Sequence, residues 1–438
     1  MSDKLVKLNP TVWRWSCTDA NESNPLQYVT KVAMFDLDDT LVVANHRPKS
    51  SSDYTFMPHI KEHLMELVEQ NVAIVVVTNQ GGIAHGNSKI VPRIATIMQN
   101  IASFLHLDDT PSAKSGVLQC YIAGAHDIYR KPMTGLFERY IWPTFPKAKT
   151  WSFVGDAAGR PGDFSSTDRK FAYNVDLIFQ YLRTKAPTTD ESLVKLVQTI
   201  YPDGQPLNVS PDERPRLSFR VPEECFAEGQ PNPDTHPREW WGFYPGGYLK
   251  QLDSKKAQHE FNTQLVKIQK EAAKGISVVV MIGAQGSGKS SAALTIAEKI
   301  KGTLVSRDNY ATQAKFIEQA QKLVKAGRSV VLDATHPTMV SRGAVAVAVM
   351  NAVKGCNLVY VHVNTPRNLA FHLNQVRLWK AGNYVPEAAH HKFYNEFQAP
   401  DTYIEVPFHP EFRSSDDRFR FLQFTEEGAQ HRVSTQED

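Results

Sequence analysis

The feature that most constrains the fold of this chain is a rhythm. From Lys31 to about Ile178, short apolar runs ("KVAMFDLD", "NVAIVVVTNQ", "VLQCYIAGAHD", "WSFVGDAAG") alternate with longer segments. In two of those segments, "HIKEHLMELVEQ" and "IVPRIATIMQNIASFL", the apolar residues recur at helical spacing. Strands alternating with helices predict a parallel sheet covered on both faces. The rhythm returns after Gly275 in "ISVVVMIG", the helix "KSSAALTIAEKI", and then "GTLVSRD", "RSVVLDAT" and "NLVYVHVN". Between the two stretches, from about Thr184 to Gly247, the periodicity fails and prolines accumulate. The expectation is an α/β chain with two doubly wound parallel-sheet domains, 31–183 and 248–438. An extension 1–30 precedes them, and 184–247 is an insertion and interdomain connection. A length of 438 residues suits this division at about 150 residues per domain. Trp240, Trp241, Phe243 and Tyr244 within the connection are expected to pack, most simply as docking between the domains. No internal sequence repeat links the two halves.

Composition narrows the function classes. With 42% apolar and 22% charged residues the chain can build cores and keep them soluble. The net charge of +3 means that nucleic-acid binding has to come from local clusters of Arg and Lys. Cys17, Cys120, Cys225 and Cys356 stand far apart without metal-ligand spacing, which fits free thiols in a reducing compartment. The start "MSDKLVKLNP" lacks a signal-peptide core and no run of 18 apolar residues occurs, so an intracellular protein is expected.

Three aspartates, Asp36, Asp38 and Asp39, end the first apolar run of the rhythm. In open parallel sheets ligands sit beyond the carboxyl ends of strands. Two residues apart there, Asp36 and Asp38 can reach one centre, one carboxylate attacking a phosphorus atom while the other protonates the leaving oxygen. Two anions facing a phosphate need cations, and Mg²⁺ held by oxygen ligands is the usual answer. Other strand ends supply partners: Thr78 to donate to a phosphoryl oxygen, Lys131 to bring positive charge, Asp156 to add a metal-binding carboxylate. By itself the DxDxT pattern reads equally well as a structural acidic turn; four matching strand ends in order make it a site. In this pattern the chain resembles the haloacid dehalogenase superfamily. The resemblance implies Asp36 as nucleophile, Asp38 as general acid and base, and Mg²⁺ on Asp36, the Asp38 backbone carbonyl and Asp156. It places the phosphoryl group on Thr78 and Lys131. Asp168 fits the second acid of the fourth motif, or a helix cap.

"GAQGSGKS", Gly283 to Ser290, fits GxxxxGK[ST] and lies between a strand and a helix, as a P-loop must. The ATP-binding set is then Gly283, Gly286, Ser287, Gly288, Lys289, Ser290 and Ser291. Its backbone N–H groups converge on the phosphates, Lys289 reaches the β and γ groups, and Ser290 reaches Mg²⁺. Asp333 ends a later strand as a Walker-B acid would, supporting the metal. Asp308 lies after another strand end, where it could accept a proton from an acceptor hydroxyl. Arg377, in a basic helical stretch, reads either as a lid over the γ-phosphate or as part of a solvated face. His336, His390 and His391 lack metal-ligand spacing and read as surface or loop residues.

The span from Lys31 to Gly428 resembles the eukaryotic bifunctional polynucleotide phosphatase/kinase family. The segments that carry this are "FDLDDTL", "VTNQGGI", "YRKPMTGLFE", "FVGDAAGRPGD", "GAQGSGKS", "SRDNY", "LDATHP", "NQVR", "YNEFQAPDTYIEVPF" and "FLQFTEEG". The resemblance implies a haloacid dehalogenase-like domain followed by a P-loop kinase. It also implies removal of 3′-phosphates and ATP-dependent phosphorylation of 5′-hydroxyls at broken DNA ends. Asp308 becomes the base that activates the 5′-hydroxyl, and Asn79, Arg130, Arg160 and Arg307 become candidate substrate contacts. Nucleic-acid ends are the expected partner, with a repair ligase or scaffold proteins as further candidates, for a monomer placed in the nucleus on function alone. The chain departs from the family in three places. No forkhead-associated domain is expected in the short extension, Gln375 stands where a further arginine belongs, and 184–217 looks inserted. RNA end healing, a small-metabolite kinase/phosphatase and a non-catalytic scaffold are the alternatives. Intact Asp36, Asp38, Lys289 and Asp308 speak against the last, and the motifs do not read a 2′-hydroxyl.

Overall fold

The computed structural model describes residues 4–17, 25–43, 50–107, 117–184, 215–226, 254–382, 385–407 and 422–425. The chain forms two compact units, Met1–Tyr244 with Ser415–Asp438, and Pro245–Ser414.

The first unit carries seven strands: β1 (Leu5–Asn9), β2 (Val12–Ser16), β3 (Lys31–Phe35), β4 (Ala73–Asn79), β5 (Leu118–Ala123), β6 (Thr150–Val154) and β7 (Arg216–Arg220). Their order in the sheet is β1-β2-β5-β4-β3-β6-β7. β5, β4, β3, β6 and β7 run parallel, while β1 and β2 add on antiparallel at one edge. Successive residues of a strand face opposite sides of a sheet, and β3 divides accordingly. Val32 and Met34 join Trp142, Trp151 and Phe171 on one side. Ala33 and Phe35 join Ile94, Ile97 and Ile101 of the helix Ile90–Phe104 on the other. Two buried faces explain why the strands read as apolar runs rather than alternations.

The second unit is a five-stranded parallel sheet, β8 (Ser277–Ile282), β9 (Thr303–Ser306), β10 (Val330–Asp333), β11 (Asn357–Asn364) and β12 (Ile404–Pro407), in the order β12-β11-β8-β10-β9. Val279 and Met281 face one core, Val278 and Val280 the other. In each unit the first parallel strand, β3 or β8, lies inside the sheet, with later strands on both sides of it. That makes its carboxyl end a topological switch point, where a crevice opens.

Three boundaries differ from those read in the sequence. β1 and β2 make residues 5–16 part of the first sheet rather than an extension to it. β7 pairs with β6, so Arg216–Arg220, in the middle of 184–247, is also sheet. Residues Leu422–Thr425, placed by sequence with the kinase, belong to the first unit. The reason is polar burial. Lys170 and Asn174 are fully buried and require partners there. Lys170 Nζ donates to the Thr425 carbonyl (2.7 Å) and hydroxyl (2.8 Å). Asn174 Nδ2 donates to the Gln423 carbonyl (2.9 Å), and its Oδ1 accepts the Gln423 N–H (2.7 Å). The four aromatic residues Trp240, Trp241, Phe243 and Tyr244, and residues 185–214, lie outside the described residues. The four cysteines are free thiols. Among the described residues no helix is long and apolar enough to cross a membrane.

Candidate active sites

At the carboxyl end of the first sheet lies a pocket of about 350 Å³, lined by residues that include Asp36, Asp38, Thr78, Arg130, Lys131, Asp156 and Asp168. Asp36 directly follows β3, and its N–H donates to the Val154 carbonyl of β6 (2.9 Å), which fixes the strand end. Lys131, 2% exposed, places Nζ 2.5 Å from Asp36 Oδ1 and 2.7 Å from Asp168 Oδ1. Burial alone would push the ammonium down, but Asp168 and Asp36 more than reverse this and hold Lys131 above the ordinary lysine range. Both backbone groups of Lys131 are clamped by the Asn79 side chain, its N–H donating to Oδ1 (2.9 Å) and its carbonyl accepting from Nδ2 (3.0 Å). Asn79, expected as a substrate contact, therefore commits its amide to positioning Lys131.

Asp36, Asp156 and Asp168 bring one carboxylate oxygen each within 4.8 Å of one another. Burial, and then the charges of Asp168 and Asp36, push the Asp156 carboxyl up to about 8. Three crowded oxygen donors with one carboxyl forced up in this way suit a hard divalent cation such as Mg²⁺. Asp168 also accepts the Ala157 N–H (3.1 Å), and Thr40, the threonine of the DxDxT pattern, donates to Asp156 (3.3 Å). The Asp38 side chain is outside this carboxylate group. It accepts from Gln80 Nε2 (2.8 Å), which also donates to the buried Thr78 hydroxyl (2.9 Å). Burial and the neighbouring Asp36 raise the Asp38 carboxyl above the usual range, which favours its protonated form.

Arg130 lines the pocket. Arg160, expected to meet substrate, instead pairs with Asp163 (3.0 Å) and Glu223 (3.1 Å) and reaches the Asp156 carbonyl (3.4 Å). Gln80 and Arg93 in this pocket were not anticipated from sequence. Gln80 had a signal, since it directly follows Thr78 and Asn79 in "VTNQ".

In the second unit the P-loop joins β8 to the helix Lys289–Lys299. Gly286 and Gly288 hold φ of 76° and 82°, which glycine adopts without penalty. A β-carbon on Gly286 would lie 2.1 Å from the Ala370 carbonyl, so the helix Arg367–Ala381 packs directly on the loop. The loop is held at Gly283, whose N–H donates to the Thr335 carbonyl (3.2 Å), and at Ser287, whose carbonyl accepts from Thr365 (2.7 Å). Lys289 pairs with Asp333, and Ser306 donates to the same carboxylate (3.3 Å). Ser290 and Ser291 are exposed at the helix start. A lysine and a carboxylate facing each other at a glycine loop that opens a helix supply what a nucleotide phosphate and its Mg²⁺ require.

Asp308 is exposed in the turn Arg307–Asn309 after β9. Arg307 is held by Gln313 (3.1 Å) and by the Tyr310 carbonyl. Arg377 is exposed and Gln375 half-buried on the helix that meets Gly286. The histidines correct the sequence reading in part: His336 lies in a loop, as expected, but it is buried, and His390 and His391 are helical. His336 and His390 are 5% and 0% exposed, and burial pushes each ring down to about 4. His390 and half-buried His391 lie on the helix Glu387–Glu396, where His390 Nε2 meets the Arg367 carbonyl at 3.3 Å. The His390 ring packs against Phe371 and Tyr394.

Comparison with known proteins agrees with the division into a phosphatase and a kinase domain. Residues 31–183 match the family model "Polynucleotide kinase 3 phosphatase", and residues 278–400 match "AAA domain". The chain is 27% identical over 395 residues to a putative bifunctional polynucleotide phosphatase/kinase of Acanthamoeba polyphaga mimivirus, covering 84% of this chain and 80% of that one. It is 27% identical over 423 residues to the bifunctional polynucleotide phosphatase/kinase of Schizosaccharomyces pombe, covering 90% and 85%. A polynucleotide 3′-phosphatase of Arabidopsis thaliana matches at 29% over 164 residues, covering 34% of this chain and 23% of that one. The fold, the two sites and these matches define an enzyme with a phosphatase domain and a P-loop kinase domain in one polypeptide. The chain joins a polynucleotide kinase 3 phosphatase domain to an AAA-type kinase domain, and over most of its length it is similar to proteins named bifunctional polynucleotide phosphatase/kinase.

Proposed function

We propose that this enzyme heals broken DNA ends, removing a 3′-phosphate at the first site and phosphorylating a 5′-hydroxyl with ATP at the second. The observation that carries the first half is the buried Lys131 ammonium held between Asp36 and Asp168 beside the raised Asp38. In this reading Thr78 and Lys131 hold the phosphoryl oxygens, with Arg130 further out. Asp36 attacks phosphorus, the bond to the 3′-oxygen breaks, and Asp38 delivers its proton to that oxygen. Asp38, now a carboxylate, takes a proton from water, whose oxygen displaces Asp36 and releases inorganic phosphate. Bound Mg²⁺ would supply charge neutralisation between the carboxylates and the phosphate, on Asp36, Asp156 and the Asp38 carbonyl, with Asp168 adjoining.

At the kinase site the amides of Gly286 and of Gly288 to Ser291, with the Lys289 ammonium, hold the ATP phosphates, in a loop fixed at the Gly283 and Ser287 N–H groups. Asp333 and Ser290 would hold Mg²⁺, and Asp308 takes the proton of the attacking 5′-hydroxyl. The γ-phosphoryl then forms its bond to that oxygen as its bond to ADP breaks. Arg377 closes as a lid, and the fixed Arg307 contributes positive charge next to Asp308. The reading extends to the nucleus as the place of action and to ligation as the step that consumes the product.

The test is incubation with nicked DNA, nicked RNA and free nucleotides, with and without ATP and Mg²⁺. Both reactions on nicked DNA, weaker on RNA, are expected. Equal turnover of free nucleotides would overturn the polynucleotide reading, and preference for RNA would overturn the DNA assignment.

A further inference from the structure

Arg93, in the first turn of the helix Ile90–Phe104, lines the phosphatase pocket without belonging to any strand-end motif. Its side chain is 12% exposed, and its Nη1 lies 3.9 Å from Asp38 Oδ1. At that distance the pair is an ion contact but not a hydrogen bond. Among the described residues, Nε and Nη2 of Arg93 are buried without a hydrogen-bond partner. A guanidinium stays charged at any working pH, and its planar fork of N–H donors matches phosphate oxygens. Idle buried donors on a fixed charge are costly, and the guanidinium that carries them lines the pocket, so the site asks for an anion.

The geometry says which anion. The pocket has two cationic poles. Lys131 stands against Asp36, where the transferring phosphoryl group lies in the proposed reaction. Arg93 stands against Asp38, which faces the leaving oxygen. The sugar that departs with that oxygen extends away from the Asp38 side. The next negative charge along a strand is the phosphodiester on the 5′-oxygen of the same nucleotide. We propose that Arg93 binds this penultimate phosphodiester, and that it is the residue by which the phosphatase distinguishes a polynucleotide end from a 3′-mononucleotide. The proposal rests on the polynucleotide reading above and names a subsite within it.

A different role is open to the same side chain: an electrostatic influence on Asp38 alone. The two separate by substrate. The substrates to compare are a 3′-phosphorylated oligodeoxynucleotide, the same oligonucleotide with a neutral methylphosphonate at the penultimate linkage, and a 3′-mononucleotide. In Arg93→Gln, kcat/KM on the oligonucleotide should fall ~10–100-fold, mainly through KM, as expected for a lost charged hydrogen bond. The loss on the mononucleotide should be at least ten times smaller, and Arg93→Lys should recover part of the oligonucleotide rate. The parent enzyme should lose a similar factor on the methylphosphonate substrate, while Arg93→Gln should be indifferent to it. The slope of log affinity against log salt should shrink by about 0.7 in the variant. Equal losses on all three substrates, with a shifted pH profile, would show that Arg93 acts through Asp38 and overturn the proposal. If Arg93→Gln does not fold, the methylphosphonate arm with the parent enzyme still decides, since full activity there overturns it. A parent enzyme without any oligonucleotide preference would instead strike the polynucleotide reading itself.

Discussion

A β-carbon built on Gly155 would lie 2.4 Å from Asp168 Oδ2. Asp168 holds Lys131 from one side and the Ala157 N–H from the other, so Gly155→Ala displaces the whole charge assembly. We expect phosphatase kcat/KM to fall about 10²-fold, the scale of a 1 Å misplacement, with kinase turnover kept; both are read on one end-labelled oligonucleotide. Asp36→Asn should abolish 3′-phosphate release while 5′-phosphorylation persists, and Lys289→Ala should do the reverse. A folded variant silent in both reactions would argue for one shared site. Asp308, exposed beside β9, is assigned to the acceptor hydroxyl. Asp308→Asn should therefore lower kinase kcat ~10²–10⁴-fold and leave ATP affinity near that of the parent; a collapse in ATP binding would reassign it to nucleotide or metal. Asp36, Asp38, Thr78 and Asp156 were legible because strand periodicity fixes where a strand ends and hence what stands at the sheet edge, whereas Lys131, eight residues past the end of β5, was legible only through the motif "YRKP". Arg93 was not, because its approach to Asp38 depends on how the helix Ile90–Phe104 packs, which no spacing encodes.

Elements differ in how openly the sequence states them. Central strands such as β4, buried along six of their seven residues, announce themselves as apolar runs. β7, "RLSFR", has one buried residue among five and follows a proline-rich stretch, so its local pattern reads as linker. β1 is the edge strand and β2 lies next to it, both with mixed exposure, and their membership comes only from pairing, β1 with β2 and β2 with β5. Leu422–Thr425 is four residues long and has no periodicity at all, yet it is fully or nearly fully buried. Asn174 is what ties it down. The same side-chain amide also donates to the Pro132 carbonyl (2.8 Å), next to Lys131. Asn174→Ala strands the Gln423 amide, its carbonyl and the Pro132 carbonyl without partners. We expect the first unit to lose about 2–5 kcal/mol in chemical denaturation, with buried polar groups costing about 1–3 kcal/mol each. Phosphatase activity should fall with it as Lys131 loosens, while the kinase unfolding transition stays in place.

At the scale of the molecule, a net charge of +3 means that any nucleic-acid track is local. Few phosphate contacts follow, on the order of three to five per site, each contributing a salt slope of about −0.7 on single strands and −0.9 on duplex. The kinase should accordingly prefer a 5′-hydroxyl on an oligonucleotide over a 3′-mononucleotide, and kcat/KM ratios measured from low to moderate salt should converge. Values equal and insensitive to salt would return the enzyme to small metabolites. The split of the first unit across the chain carries a consequence in time. Its sheet strands are all made before the second unit begins, but Gln423 and Thr425 emerge from the ribosome after it. At about 5–20 residues per second, the buried Lys170 and Asn174 wait on the order of tens of seconds for their partners. The domain that is started first is therefore finished last, and a stalled or prematurely terminated chain carries a complete kinase sheet beside a phosphatase still lacking its closing segment.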